Sequence, residues 1–155
     1  MLYACHSKVK RFCRQLSILP DYLEKHGYTQ AVLNDVEQIL TYFNRAAPLH
    51  HEDEELDFFP QLLKVAPQLQ SSIDELEQQH EYLHENWNAL STQLEELISE
   101  QRQNIDEHLI ERFIQGYDRH IALEEPLFEM GRECLSADIL AEMGKSMSAR
   151  RQVKE

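Results

Sequence analysis

The feature that most constrains the fold is a stripe of apolar and His residues between positions 69 and 97. Its members are spaced alternately by four and three residues, which places them on one face of a helix. A strand cannot produce this period, because its side chains alternate between two faces. The stripe consists of Leu69, Ile73, Leu76, His80, Leu83, Trp87, Leu90, Leu94 and Leu97.

Three other segments show similar stripes, and turn-forming sequence separates all four. The breaks fall at "HGYT", "VAPQ" and "QRQN". Connections this short join antiparallel neighbours, so we predict an all-α, up-down-up-down four-helix bundle. Its helices are expected to cover residues 2–26, 29–65, 68–101 and 104–131.

Composition agrees with long helices in one domain. The chain has only four Gly and five Pro, and its 155 residues are 42% hydrophobic, enough for a single core. After Ser136, a predicted N-cap, "ADILAEMGKSM" predicts a short fifth helix. We therefore expect residues 1–131 to form the bundle and residues 132–155 to pack on the same domain as a short helix and tail.

Three prolines interrupt the first two predicted helices. Pro20, Pro48 and Pro60 each remove a backbone donor. We expect kinks or local breaks at these positions.

The charge of the chain limits its partners. The net charge is −13, from 15 Lys and Arg against 28 Asp and Glu, which argues against nucleic acid or an anionic membrane as partner. The basic cluster Arg150, Arg151 and Lys154 is expected to be a solvated tail. Without a long apolar run or a signal sequence, the chain is expected to be a soluble cytoplasmic protein.

Seven polar residues interrupt the stripes at matching distances from the turns. His6 lies 21 residues before Gly27 and His50 lies 23 after it. A mismatch of two residues corresponds to only about 3 Å along a helix. Antiparallel helices would therefore bring all seven to one layer. They are His6, His50, Glu54, His80, His84, His120 and Glu124.

Five imidazoles and two carboxylates in a core predict a metal site. Without a metal, each uncompensated charge or unsatisfied polar group would cost several kcal/mol. The donor set favours iron or manganese over structural zinc, which prefers four tetrahedral ligands. Two six-coordinate ions that share both carboxylates and an oxo or hydroxo group would keep one coordination position for a small ligand such as dioxygen or nitric oxide.

Four segments carry a family resemblance: "CHSKVKRF", "YFNRAAPLHHEDEELDFFPQLL", "EQQHEYLHENW" and "RHIALEEPLF". Over nearly its whole length the chain resembles the hemerythrin-like, His-His-Glu cation-binding family. The resemblance implies a non-heme di-iron centre with five terminal His ligands and two bridging Glu ligands. It also implies a protein that binds or senses dioxygen, nitric oxide or iron and oxygen status.

Two questions of register stay open. His51 with Glu55 could replace His50 with Glu54, and the spacing found in oxygen-carrying hemerythrins would select Glu125 at the last position. We prefer His50 and Glu54 because they continue the apolar stripe of their helix.

Other functions were weighed against this interpretation. "HEYLH" matches the zinc-protease pattern, but nothing in the sequence suggests a strand to hold a peptide. A ferritin-like oxidase needs Glu-x-x-His on two helices, and only one helix has it. The main alternative is a di-iron protein that acts on peroxide or nitric oxide, or donates iron for iron-sulfur repair. A structural bundle that binds metal weakly is a third hypothesis.

Overall fold

The computed structural model describes residues 2–154, which contain helices and turns but no strand. The all-α prediction is confirmed: the long helices form an up-down-up-down bundle, and a fifth helix follows. None of the described helices is both long and apolar enough to cross a membrane. The elements are α1 (Leu2–His26), α2 (Gln30–Thr41), π1 (Tyr42–Ala46), α3 (Ala47–Glu52), π2 (Asp53–Phe58), α4 (Phe59–Val65), a 3-10 turn (Pro67–Leu69), α5 (Gln70–Ile98), α6 (Glu107–Cys134) and α7 (Ala137–Lys154).

The helices end close to the predicted breaks, and local chemistry explains why. Gly27 has a φ of 71°, a left-handed conformation that ends α1. Thr29 then begins α2, because its side chain accepts a hydrogen bond from the Val32 amide. Asp106 caps α6 in the same way by accepting from the His108 amide.

The second bundle helix, residues 30–65, is continuous but irregular. The residues that join α2, π1, α3, π2 and α4 all have right-handed helical dihedrals. Pro48 and Pro60 follow the two π-helical turns closely, and Pro20 lies within an unbroken α1. The expected breaks are therefore absent; at Pro48 and Pro60 the irregularity takes the form of wider π turns.

Two apolar clusters fill the bundle, one above the other along its axis. One contains Leu16, Val36, Leu90 and Phe113, and the other contains Leu62 and the residues around it. On α5 and α6 the buried His residues fall between the segments that enter the two clusters. A polar layer therefore separates the clusters.

The C-terminal segment differs from the expected tail. Ser136 accepts a hydrogen bond from the Ile139 amide, as its predicted N-cap role requires. The helix that follows is longer than predicted and buries Met143 and Met147 against the second cluster. Arg150 and Arg151 are only partly exposed and do not form a free tail, because both pair with a buried carboxylate described below. The side chain of Lys154 lies outside the described part of the chain.

Candidate metal centre

Each long helix of the bundle contributes at least one buried His to the polar layer, and four of these residues, one from each helix, were predicted as ligands. None of the four is more than 5% exposed, and two buried Glu residues that are 0% exposed lie among them. The structure thus brings six of the seven predicted site residues together. They are His6 of α1, His50 of α3, His80 of α5, His120 of α6, Glu54 of π2 and Glu124 of α6.

Glu124 lies among three of these imidazoles. Its Oε1 is 2.8 Å from His6 Nε2 and 3.9 Å from His50 Nε2. Its Oε2 is 3.2 Å from His120 Nε2. The two oxygens of one carboxylate therefore face different pairs of helices.

Glu54 has the same arrangement. Its Oε1 is 2.7 Å from His50 Nε2, and its Oε2 is 3.6 Å from His80 Nε2. The Nε2 atoms of His80 and His120 are 3.2 Å apart. The donors thus surround two positions, one beside the imidazoles of α1 and α3 and the other beside those of α5 and α6, and both carboxylates reach both positions.

Outer partners fix the direction of three imidazoles. Each of these rings has Nδ1 within hydrogen-bond distance of a carboxylate or amide oxygen. Since such an oxygen only accepts, Nδ1 carries the proton and the Nε2 lone pair can face inward, the arrangement found around metal-binding His. The pairs are His6 with Glu125 at 3.2 Å, His80 with Glu55 at 2.7 Å and His120 with Gln79 at 2.9 Å.

Several inward atoms have no hydrogen-bond partner of suitable geometry among the described residues. These are Nε2 of His50, both carboxylate oxygens of Glu54 and Oε2 of Glu124. The ion pair between His50 and Glu54 offsets part of the cost of burying these atoms, and the remaining cost stays uncompensated. A cation bound between them would satisfy all of them at once, so the residues fit a metal centre.

Burial keeps three imidazoles neutral. It lowers the pKa of His120 to about 3 and also lowers the pKa of His6. The pKa of His51 lies well below its usual value for the same reason. Neutral imidazole is the form that coordinates a metal.

The Glu54 carboxylate has the opposite effect on its neighbours. Although burial disfavours the charged ring, Glu54 raises the pKa of His50 to about 10. Although burial acts in the opposite direction, the Glu54 and Glu55 carboxylates, which accept from the His80 ring, likewise raise the pKa of His80. In return, His50 holds the pKa of Glu54 well below its usual range despite its burial. Without metal, His50 is therefore protonated at neutral pH.

His51, which the sequence left open as the alternative to His50, lies at the site together with His50. It is 6% exposed and stacks on His80 with 3.9 Å between ring centroids. With His80 and His120 it offers ligand atoms that all lie within 4.8 Å of one another. His51 is thus close enough to serve the second position.

The structure does not bring His84 into these groups. The side chain is exposed, and its Nε2 lies 3.4 Å from Nδ1 of His51. His84 therefore remains a predicted ligand only, and the buried His51 lies closer to the cluster. The two remaining His residues, His26 and His108, are exposed as predicted.

The π turns explain why the register was ambiguous. The two π turns flank α3. In this irregular segment two adjacent His residues, His50 and His51, are both buried, and so are the adjacent Asp53 and Glu54. Glu55 faces the outer edge of the layer. A signal for this was present in the sequence: His50, Glu54, Phe58 and Leu62 follow one another at spacings of four, and on a regular α-helix such a series drifts by about 120° around the axis.

Comparison with known proteins gives two findings. The model of the family described as "Hemerythrin HHE cation binding domain" matches residues 1–130. A protein of Haemophilus influenzae, described as an uncharacterized protein, is 93% identical over 155 residues, which is 100% of this chain and 90% of that protein.

Proposed function

Because the chain belongs to the hemerythrin HHE cation-binding domain family, we propose that its buried cluster holds a non-heme di-iron centre that binds dioxygen or nitric oxide. The observation that carries the proposal is the orientation of Glu54 and Glu124. Each directs one oxygen to the His6 and His50 side and the other to the opposite side. Two carboxylates that span the same two positions are suited to bridging a pair of ions.

The ligands divide between the two positions. His6 and His50 would serve the first, and His80 and His120 the second. We propose His51 as the third imidazole of the second position, since it is buried there. The exposed His84 remains the alternative.

The donor set favours iron. It combines imidazoles with carboxylates and contains no thiolate, which suits iron or manganese better than structural zinc. When bound, iron supplies reversible electron transfer and an open coordination position for a diatomic molecule.

The surrounding residues keep water from the centre. Phe128 stacks on the His6 ring with 5.0 Å between centroids, and Phe59 lies parallel to His80 at 6.5 Å. Both Phe side chains are buried. An apolar surround admits a small uncharged gas more readily than an ion and lowers the local dielectric constant.

Exposure of the reduced, iron-loaded protein to gas tests this function. We expect a visible absorption band that appears with dioxygen or nitric oxide and disappears when the gas is removed under argon. The same measurement on the exposed-site variant His108→Ala should give an identical band. Rapid irreversible oxidation that consumes peroxide would favour the enzyme-like alternative, and an unchanged spectrum would contradict both.

A further inference from the structure

The last helix ends against a buried carboxylate next to the candidate metal centre. Asp53 is 0% exposed and directly precedes Glu54. Arg150 Nη1 donates to Asp53 at 2.7 Å and to Asp57 at 2.9 Å. Arg151 donates through Nη1 at 3.1 Å and through Nη2 at 2.7 Å to the two oxygens of Asp53. Residues 137–154 follow the region that the family model matches.

These contacts fix Asp53 in one orientation. Both of its oxygens accept charge-assisted hydrogen bonds, which are short and directional. A buried carboxylate that lost its cations would be strongly destabilised, so this orientation is the favoured one. Because Asp53 and Glu54 are adjacent on π2, the direction of one side chain constrains the direction of the other.

The apolar contacts of α7 alone are incomplete. A cavity of about 330 Å³ separates part of α7 from the bundle. It is lined by Met143 and Met147 on one side and by Leu2 and Phe128 on the other. Beside this cavity, the two arginines add ion pairs that attach the C-terminal part of α7 to π2.

We propose that Arg150 and Arg151 are positioning residues of the metal centre. Acting through Asp53, they hold π2 so that Glu54 faces both metal positions, and α7 docking is thereby linked to metal retention. The inference rests on the metal binding proposed above. Such linkage is reciprocal, so bound metal must stabilise docked α7 by the same factor by which docked α7 favours metal.

Metal release is the first test. Full-length protein loaded with Co²⁺ is mixed with excess chelator, and the visible spectrum is followed. We expect the double variant Arg150→Met, Arg151→Met to release metal at least about tenfold faster than wild type and to show a shifted Co²⁺ spectrum, since outer-layer changes cost about 10–100-fold in metal affinity. The double variant Arg150→Lys, Arg151→Lys keeps the positive charges but loses the two-pronged guanidinium hydrogen bonds. Its rate of metal release should lie between those of wild type and the double Met variant.

A matched control uses the same helix. Lys145 is exposed and pairs with Glu142 at 3.3 Å, away from π2. Lys145→Met removes a cation from α7 and should release Co²⁺ at the wild-type rate. Circular dichroism of each metal-free variant checks that its helices are retained.

Hydrogen exchange supplies an independent second test on the wild-type chain. Amides of α7 should exchange more slowly in the Co²⁺-loaded protein than in the metal-free protein. This effect should be smaller in the double Met variant, because the link through Asp53 is absent.

The outcomes separate this inference from the proposed function. Wild-type protein that retains no Co²⁺ would contradict the metal centre itself. Wild-type protein that binds Co²⁺, with wild-type release from the double Met variant and unchanged exchange in α7, would overturn the role of the arginines alone.

Discussion

At the scale of single residues, each inward imidazole has a defined task. The outer oxygens of Glu125, Glu55 and Gln79 hold protons at Nδ1, and the Nε2 atoms face the two bridging candidates. The residue types could be predicted from the sequence, because all four stripes place polar residues at one height. The proposed exchange of His84 for His51 could not, because it rests on side-chain burial beside irregular turns.

The pair His51 and His84 gives a direct test of that exchange. Replacing the buried His51 with Ala should weaken binding at the second position about tenfold or more, since it removes a ligand candidate or its direct neighbour. Replacing the exposed His84 with Ala should change affinity little. Chelator competition with Co²⁺ measures both variants, and the reverse order of effects would restore His84 as the ligand.

Metal binding at pH 7 should release protons. Glu54 raises the pKa of His50 to about 10, so this ring carries a proton that a metal ion must displace. Affinity should therefore rise with pH toward about 10 and fall as the solution becomes more acidic. His120, with a pKa of about 3, adds proton competition only in strong acid.

Calorimetric titration in buffers of different ionisation enthalpy checks the proton release. The observed heat should vary between buffers in proportion to the ionisation enthalpy. Equal heats in all buffers would show that no proton leaves the site, against the assignment of His50 as a protonated ligand residue.

At the scale of helices, the second bundle helix decides how accurately the site can be predicted. Helix existence and the turns near residues 27, 66 and 101 followed from periodicity and from Gly, Pro and polar clusters. The π turns π1 and π2 did not, because Pro48 and Pro60 predicted kinks or local breaks and not wider helical turns. With wider turns, residues at spacings of four stay on one face, which brings Glu54 inward between Asp53 and Glu55.

Two glycines test how closely the helices around the site pack. A Cβ on Gly131 of α6 would lie 2.5 Å from the Phe58 ring of π2, whereas a Cβ on Gly144 of α7 would have nothing within 4 Å. Gly131→Ala should lower the free energy of unfolding by about 1–3 kcal/mol, the usual cost of overpacking. Gly144→Ala should raise it by up to about 1 kcal/mol through helix propensity.

Chemical denaturation of the two metal-free variants measures the difference. An equal change in the free energy of unfolding for Gly131→Ala and Gly144→Ala would mean that the Phe58 ring moves aside without cost. In that case the contact between α6 and π2 would not constrain the position of Glu54.

At the scale of the whole molecule, the polar layer joins every long helix, so metal and fold should be coupled. Ligands that bind only the folded state stabilise it by about 2.7 kcal/mol at a concentration one hundredfold above their dissociation constant. Metal removal should therefore lower the free energy of unfolding by an amount of this order. Denaturation with and without chelator measures it, and identical curves would contradict metal binding by the folded bundle.

The pH dependence of stability should also change when metal is removed. In the metal-free protein, the raised pKa of His50 gives a contribution that is complete below its unfolded pKa, about 6.5, and is lost as the pH rises to about 10. The free energy of unfolding should therefore fall between pH 7 and 10. In the metal-loaded protein His50 is already deprotonated, so this decline should be absent; parallel curves for the two forms would argue against metal ligation by His50.

The arrangement of the four long helices was the feature of the molecule that the sequence predicted best. Alternating apolar spacings and short connections led to the bundle, and the bundle brought six predicted ligand residues into one layer. The anchoring of α7 through Arg150 and Arg151 could not be predicted in this way. A basic cluster at a chain end gives no indication that a buried Asp53 lies opposite it.

Elemental analysis of the protein purified without added metal tests the central claim most directly. The two positions between Glu54 and Glu124 predict two iron ions per chain, and the variant His50→Ala should hold fewer. A native protein that contains no iron, or a single zinc ion, would contradict a di-iron centre in this layer.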